Sequence, residues 1–415
     1  MEQKYTDQMI KRFMKYVSFD TQSSEESETF PSTMKQKELG KVLAEELKAL
    51  KLQDVEMDEW GYVTATLPAN TDKKVPVIGL ISHMDTSPEV SGAHVKPVIH
   101  KNYQGGDIPL PGDPAQVIRF SDTPDLKNQI GCDIITTDGT TLLGADNKAG
   151  IAEIFTAVQV LIDHPDIKHG KIRVAVTPDE EVGRGTEHFD VKKFGADYAY
   201  TIDGETAGEI ENETFCADSV VITIHGINMH PGYAKGKLVN GIKVGAEIIA
   251  GLPKDNLSPE TTEKRDGYVH PHAIQGGVET TTVKFLIRDF TVEGLREKED
   301  LLKEISETVL KKFSGATMDF NVQESYRNMR YKLDEDPKVV EFALEAVKRS
   351  GLEPHLNIIR GGTDGSKLSY EGLLTPNIFT GGHNFHSKLE WVSIQDMEKA
   401  VETIVNLVRI WEERG

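Results

Sequence analysis

Apolar positions along the chain switch between helical and strand periods. Met9, Ile10, Phe13, Met14 and Val17 fall on one helical stripe over 6–18, and Leu39, Val42, Leu43, Leu47 and Leu50 mark a second helix over 32–50. Residues 55–67 read as two short strands turning at Trp60-Gly61. The run 75–82 is almost unbroken in apolar character, as expected of a strand covered on both faces. A Gly-, Pro- and Asp-rich stretch over 87–131 shows no strong period. A helix then opens near Gly144, with Ile151, Ile154, Phe155, Val158, Leu161 and Ile162 on its buried face and Pro165 beyond its end. Apolar strands at 171–176 and 198–202 follow.

The texture changes after about Glu213. Residues 219–226 alternate like a half-exposed strand, then come a helix at 241–251, a strand at 281–288, a helix at 292–313 and a strand at 317–323. This β-α-β-α-β succession predicts a separate α+β layer, a sheet with two helices on one face, inserted at 214–326. The chain then returns to its first domain, so that 1–213 and 327–415 form one discontinuous α/β unit. The returning part reads as a helix at 337–350, a strand at 356–360, a turn at 361–366, a strand at 377–379 and a last helix at 393–412.

Bulk properties narrow the possible functions. At 415 residues the chain exceeds one typical core, which agrees with two domains. A formal net charge of −20 argues against a nucleic-acid partner, whose phosphates call for Lys and Arg. No apolar run approaches the ~20 residues of a membrane span, and no basic stretch followed by an apolar core marks a signal peptide, so a cytoplasmic, membrane-independent protein is expected. Cys132 and Cys216 are far apart and imply neither a disulfide framework nor a zinc ribbon.

Several chemistry-bearing groups follow the ends of the apolar strands: His83-Met84-Asp85, Glu180-Glu181 and Asp203. In open α/β sheets that edge is where ligands bind. Singly, each has an ordinary explanation. A His-x-Asp can be incidental, Gly-Ala-Asp-Asn an N-cap, Asp-Gly-Glu a turn, and two adjacent glutamates a solvated loop. Together they argue for one site. Pro178, Gly183 and Gly185 break the strand, which lets two neighbouring carboxylates reach it together. His83, Asp146, Glu181, Asp203 and His386 can be assembled into a two-cation centre, a nitrogen and oxygen set that suits Zn²⁺ and accepts Mn²⁺ or Co²⁺. Such centres activate water for hydrolysis. Glu180 then remains as general base, and Asp85 is placed to accept the other N–H of the His83 ring.

The ordered motifs Ser82-His83-Met84-Asp85-Thr86, Gly144-Ala145-Asp146-Asn147-Lys148-Ala149-Gly150, Thr177-Pro178-Asp179-Glu180-Glu181-Val182-Gly183, Asp203-Gly204 and His386 resemble the dinuclear zinc peptidases of family M20. Asn228-Met229-His230-Pro231-Gly232, Ile287-Arg288-Asp289-Phe290 and Gly382-His383-Asn384-Phe385-His386-Ser387 resemble its tripeptide-aminopeptidase branch, and the likeness runs essentially end to end. The resemblance implies a mixed-sheet catalytic domain with helices on both faces and an inserted lid that carries dimer contacts in many members. It implies two zinc ions bridged by Asp146, one completed by His83 and Asp203 and the other by Glu181 and His386, and a cis Asp146–Asn147 peptide. Glu180 matches the general base and Asp85 the acid that orients His83. His230 is similar to the lid histidine that meets the tetrahedral oxyanion. Arg288, with Arg360 as a second candidate, is similar to the residue that grips the substrate's terminal carboxylate. Many members carry Asn after the Gly-Gly of the insert; here the chain reads Gly276-Gly277-Val278-Glu279-Thr280, which leans toward the aminopeptidase branch. The implied activity is removal of the amino-terminal residue from tripeptides. The alternatives are a related amidohydrolase acting on dipeptides or N-acyl amino acids, and a non-catalytic peptide-binding protein.

Overall fold

Four parallel strands form the middle of the first unit. In the computed structural model, which describes residues 1–415, these are Ile172–Thr177, Ile78–His83, Tyr198–Gly204 and Asn377–Phe379, paired in that order. They belong to an eight-stranded sheet that continues on one side through Val63–Leu67 to Gln53–Met57 and on the other through Glu209–Thr214 to His355–Ile359. Val63–Leu67 and Glu209–Thr214 run antiparallel to their inner neighbours, so the sheet is mixed. Every residue of Ile78–His83 and Ile172–Thr177 is buried, which explains their unbroken apolar sequence.

Alternation across the pleat divides the core between the two faces. On one face Ile81, Ala175 and Ala199 pack with Tyr62, Phe189, Phe194 and Leu368. On the other lies the helix Ala145–Asp163, with Gln3–Val17 and Ile394–Arg414 packed on it and Lys338–Arg349 on the last of these. The approach is close. A Cβ at Gly150 would stand 2.1 Å from the Ile202 carbonyl oxygen and 2.7 Å from the Ser82 hydroxyl, so this turn of helix can meet the sheet only as glycine. No helix is long and apolar enough to cross a membrane.

Glu153, on the same helix, is fully buried, and neither carboxylate oxygen has a hydrogen-bond partner. Burial, reinforced by the charge of Asp396, holds its carboxyl well above the usual range. The folded chain therefore keeps a proton that the unfolded chain releases above its ordinary value of 4.5. Because the native state binds more protons, this group's contribution to stability falls as pH rises past that value. Glu153→Met, which keeps the volume and removes the unsatisfied acid, is expected to stabilise the protein by about 1–3 kcal/mol, with a gain larger at about pH 8 than at about pH 5. Denaturant melts at the two pH values measure this; a gain independent of pH would exclude the proton-linked cause.

Contacts divide the chain into Met1–Asn212, Met329–Asn357 and Thr363–Gly415 as one unit and Glu213–Asn328 with Ile358–Gly362 as the other. The segment Ile358–Gly362, read from sequence as part of the first domain, thus groups with the second. The second unit is an antiparallel sheet in the order Tyr268–Gly276, Thr280–Asp289, Cys216–His225, Thr317–Tyr326. Helices Gly241–Ala250 and Val292–Leu310 supply Val244, Ile248, Leu295, Leu302 and Val309 to a core with Val220, Ile222, Ile224, Val283, Phe285 and Ile287.

Several elements depart from the sequence reading. Tyr268–Gly276 is an additional edge strand, and its His270-Pro271-His272 run breaks the alternation at a register shift between Pro271 and Ala273. An edge strand tolerates proline because one side of its ladder is unpaired. Glu209–Thr214 looks polar in sequence yet is mostly buried, and the Asn377 amide donates to Glu211 at 2.6 Å. The segment read as a turn at 361–366 instead leads into the helix Asp364–Tyr370, which Thr363 and Ser366 cap reciprocally.

Candidate metal centre

The four parallel strands all end at one edge of the sheet, and His83, Asp203 and the Glu180-Glu181 pair leave from it. His83 is the last residue of its strand, and Asp203 is the penultimate residue of Tyr198–Gly204. After Thr177 the chain turns through Asp179, whose φ of 57° is left-handed, into the short 3₁₀ turn Glu180–Val182. Asp146 lies at the start of Ala145–Asp163, and the Asp146–Asn147 peptide is cis. His386, also left-handed at φ 58°, sits in the loop of a hairpin formed by Gly382–His383 and Trp391–Ser393.

These residues form two groups that share one carboxylate. His83 Nε2 lies 2.9 Å from Asp146 Oδ1 and 3.4 Å from Asp203 Oδ1. His386 Nε2 lies 3.2 Å from Asp146 Oδ2 and 2.8 Å from Glu181 Oε2. Asp146 thus turns one oxygen toward each imidazole, and each group of three could hold a cation. Glu181 Oε1 is buried without a hydrogen-bond partner.

The surrounding contacts fix these groups. Asp85, fully buried, places Oδ1 at 3.3 Å from His83 Nδ1, and its carbonyl oxygen lies 3.2 Å from the same nitrogen. The same carboxylate accepts the backbone N–H groups of Glu180 and Glu181 at 3.1 and 3.2 Å. It therefore anchors the glutamate turn as well as orienting the ring. Asp179, buried beside that turn, accepts from the Ser32 hydroxyl and, at 2.6 Å, from the Gln36 amide. Asp364 accepts from the Thr177 hydroxyl at 2.8 Å, and a Cβ on Gly185 would strike it at 2.2 Å. Glu89 Oε2 lies 3.3 Å from His386 Nδ1. Glu390 accepts backbone N–H groups from Leu143, Gly144 and Asp146. Of these supports, only the role of Asp85 toward His83 could be read from the sequence; the rest depend on contacts between distant segments.

Electrostatics shows what the cluster would attract. Burial pushes Glu181 up to about 8, with Asp146 adding to the rise and His386 opposing it. Burial likewise raises Asp203 to about 6 against the pull of His83. Glu180 is held well above its usual range by burial, with His83 opposing and Asp203, Asp364 and Glu181 reinforcing. Burial works to raise Asp146 too, but the hydrogen bonds of His386 and His83 outweigh it and keep this carboxyl low. His386 is drawn up to about 11 against burial by Asp146 and Glu181. Carboxylates outnumber the imidazoles, and added positive charge would relieve their repulsion. The nitrogen and oxygen donors and the unpartnered Glu181 oxygen fit borderline divalent cations such as zinc.

The other three expected site residues lie in the second unit. His230 is exposed, and its Nδ1 accepts the Gly232 N–H at 3.2 Å, which leaves Nε2 to carry the ring proton. Arg288 donates to the Ile287 carbonyl at 2.9 Å and lies over the Tyr326 ring. Arg360 donates to the carbonyls of Lys264 and Asp266 at 2.7 and 2.9 Å and lies over Phe215.

Known proteins resemble this chain along nearly its full length. The sequence profile of peptidase family M20/M25/M40 matches residues 139–410. Peptidase T of Caldanaerobacter subterraneus subsp. tengcongensis is 51% identical over 407 residues, covering 98% of this chain and 99% of the relative. Peptidase T of a Geobacillus species is also 51% identical, over 99% of this chain and the whole relative. The crystal structure of aminopeptidase PepT from Bacillus cereus superposes with a TM-score of 0.75 at 27% identity, covering 98% of this chain and 99% of that one. Sequence and fold agree across nearly the full length, and the chain belongs to peptidase family M20/M25/M40.

Proposed function

We propose that this protein is a two-zinc aminopeptidase that removes the amino-terminal residue from tripeptides. The observation that carries the reading is the pair of three-residue groups sharing Asp146, with Glu180 left outside both groups. Identity of 51% to peptidase T over 98% of the chain supports the choice of substrate class. Cations held by His83, Asp146 and Asp203, and by Asp146, Glu181 and His386, would polarise the scissile carbonyl and activate water for attack.

The chain's own groups do the rest. Asp85 beside Nδ1 favours the His83 tautomer whose Nε2 lone pair faces Asp146 and Asp203. Glu180 takes a proton from the attacking water and returns it to the amine as the carbon–nitrogen bond breaks. Glu180 stands outside both three-residue groups, so its carboxylate is free for both transfers. In this reading His230 offers its Nε2–H to the developing oxyanion. Arg288 pairs with the terminal carboxylate of the peptide. Arg360, the second candidate for that task, already gives its donors to backbone carbonyls and holds the 264–266 loop.

With the scissile bond at the cations and the terminal carboxylate at Arg288, chain length becomes the discriminating property. With zinc or cobalt supplied, kcat/KM for a tripeptide is expected to exceed that for the matching dipeptide, tetrapeptide and N-acyl amino acid by more than about tenfold. Equal rates across peptide lengths would refute the length preference, and preference for the N-acyl substrate would make the protein an amidohydrolase of the same family.

A further inference from the structure

Glu390 is 1% exposed, yet both of its carboxylate oxygens are engaged. Oε2 accepts from Leu143 and Gly144 at 2.7 and 2.9 Å, and Oε1 accepts from Asp146 at 3.1 Å. These N–H groups lie at the beginning of Ala145–Asp163, where a helix leaves donors without intrahelical acceptors. A carboxyl group is a natural acceptor at such a position, and here the chain supplies its own.

The origin of that acceptor is informative. Glu390 lies four residues beyond His386, at the other end of the same hairpin loop. The hairpin is anchored from below. His383 stacks on Trp391 at 4.3 Å, both are buried, and Trp391 packs with Tyr103, Ile108, Leu126 and Ile134. One braced loop therefore presents His386 from its middle and grips the backbone of Asp146 from its end. The two oxygens of Asp146 can face both imidazoles only if its backbone is held in place, because the residue lies outside helical geometry, at φ −83° and ψ 101°.

We propose that Glu390 is a positioning residue of the metal centre, fixing the backbone of Asp146 and tying it to the loop that carries His386. The inference rests on the reading of Asp146 and His386 as ligands. Glu390→Gln keeps the shape but turns an N–H₂ group toward backbone N–H donors. It is expected to weaken Co²⁺ and Zn²⁺ binding by about 10–100-fold, to alter the visible absorption spectrum of the cobalt-loaded protein, and to speed amide exchange of the 143–146 segment. Glu153→Met, which also removes a buried acid, should retain the parent's metal affinity and cobalt spectrum. Chelator competition reads the affinities without reference to turnover.

If Glu390→Gln does not yield folded protein, Glu390→Asp, which shortens the reach by one methylene, takes its place under the same measurements. Parent-like affinity and an unchanged cobalt spectrum in the folded variant would overturn the proposal. If the parent itself takes up no cation, the reading of the site as a metal centre fails instead.

Discussion

Glu180→Gln is expected to lower kcat on a tripeptide by about 10²–10⁴-fold, while the protein keeps its full complement of cations. The amide preserves side-chain size, and Glu180 belongs to neither three-residue group, so metal uptake should be unaffected. Its backbone N–H still reaches Asp85, and the turn that presents Glu181 stays anchored. The lost property is the ability to accept a proton from water and pass it to the leaving amine. Steady-state kinetics beside metal analysis by plasma emission separates the two effects. Near-parent kcat in a fully loaded variant would remove Glu180 as the base, whereas loss of metal together with activity would make it a ligand.

Asp146→Asn should have the opposite signature. Both groups use this carboxylate, with Oδ1 2.9 Å from His83 and Oδ2 3.2 Å from His386. An amide keeps one acceptor and replaces the other with a donor. Both cation affinities are expected to fall by more than the about 10–100-fold associated with outer contacts, and activity should fall with them. Glu181→Gln touches only the group with His386, so it should release one equivalent and retain the other. A protein that lost one equivalent with Asp146→Asn and both with Glu181→Gln would refute Asp146 as the shared ligand.

Much of this arrangement could be read before any coordinates. The buried strands Ile78–His83, Ile172–Thr177 and Tyr198–Gly204 stand out because apolar runs that short, followed directly by His83, Glu180-Glu181 and Asp203, are local features of sequence. The site gathers at one edge because parallel strands end together, a consequence of topology that the pattern already implied. The edge strand Tyr268–Gly276 was obscured because Pro271 disrupts its period. Glu209–Thr214 was obscured because its burial depends on pairing with Asn377, far along the chain. The supports of the candidate metal centre were hidden for a related reason. Glu390 acts on backbone N–H groups of residues 143–146, and Asp179 on Ser32 and Gln36, so neither role leaves a mark in side-chain spacing.

The carboxylate of Asp85 serves a ring nitrogen and two main-chain amides at once. Changes at positions 83, 85, 180 and 181 therefore cannot act as independent perturbations. Residues that share one hub show interaction energies of about 0.5–3 kcal/mol in double-mutant cycles. Once Asp85 is altered, a second change at Glu180 acts on a turn that has already lost its anchor, and the combined loss should fall short of the sum. The imidazole and the glutamate turn are then one cooperative unit, and rate losses measured at single positions within it overlap.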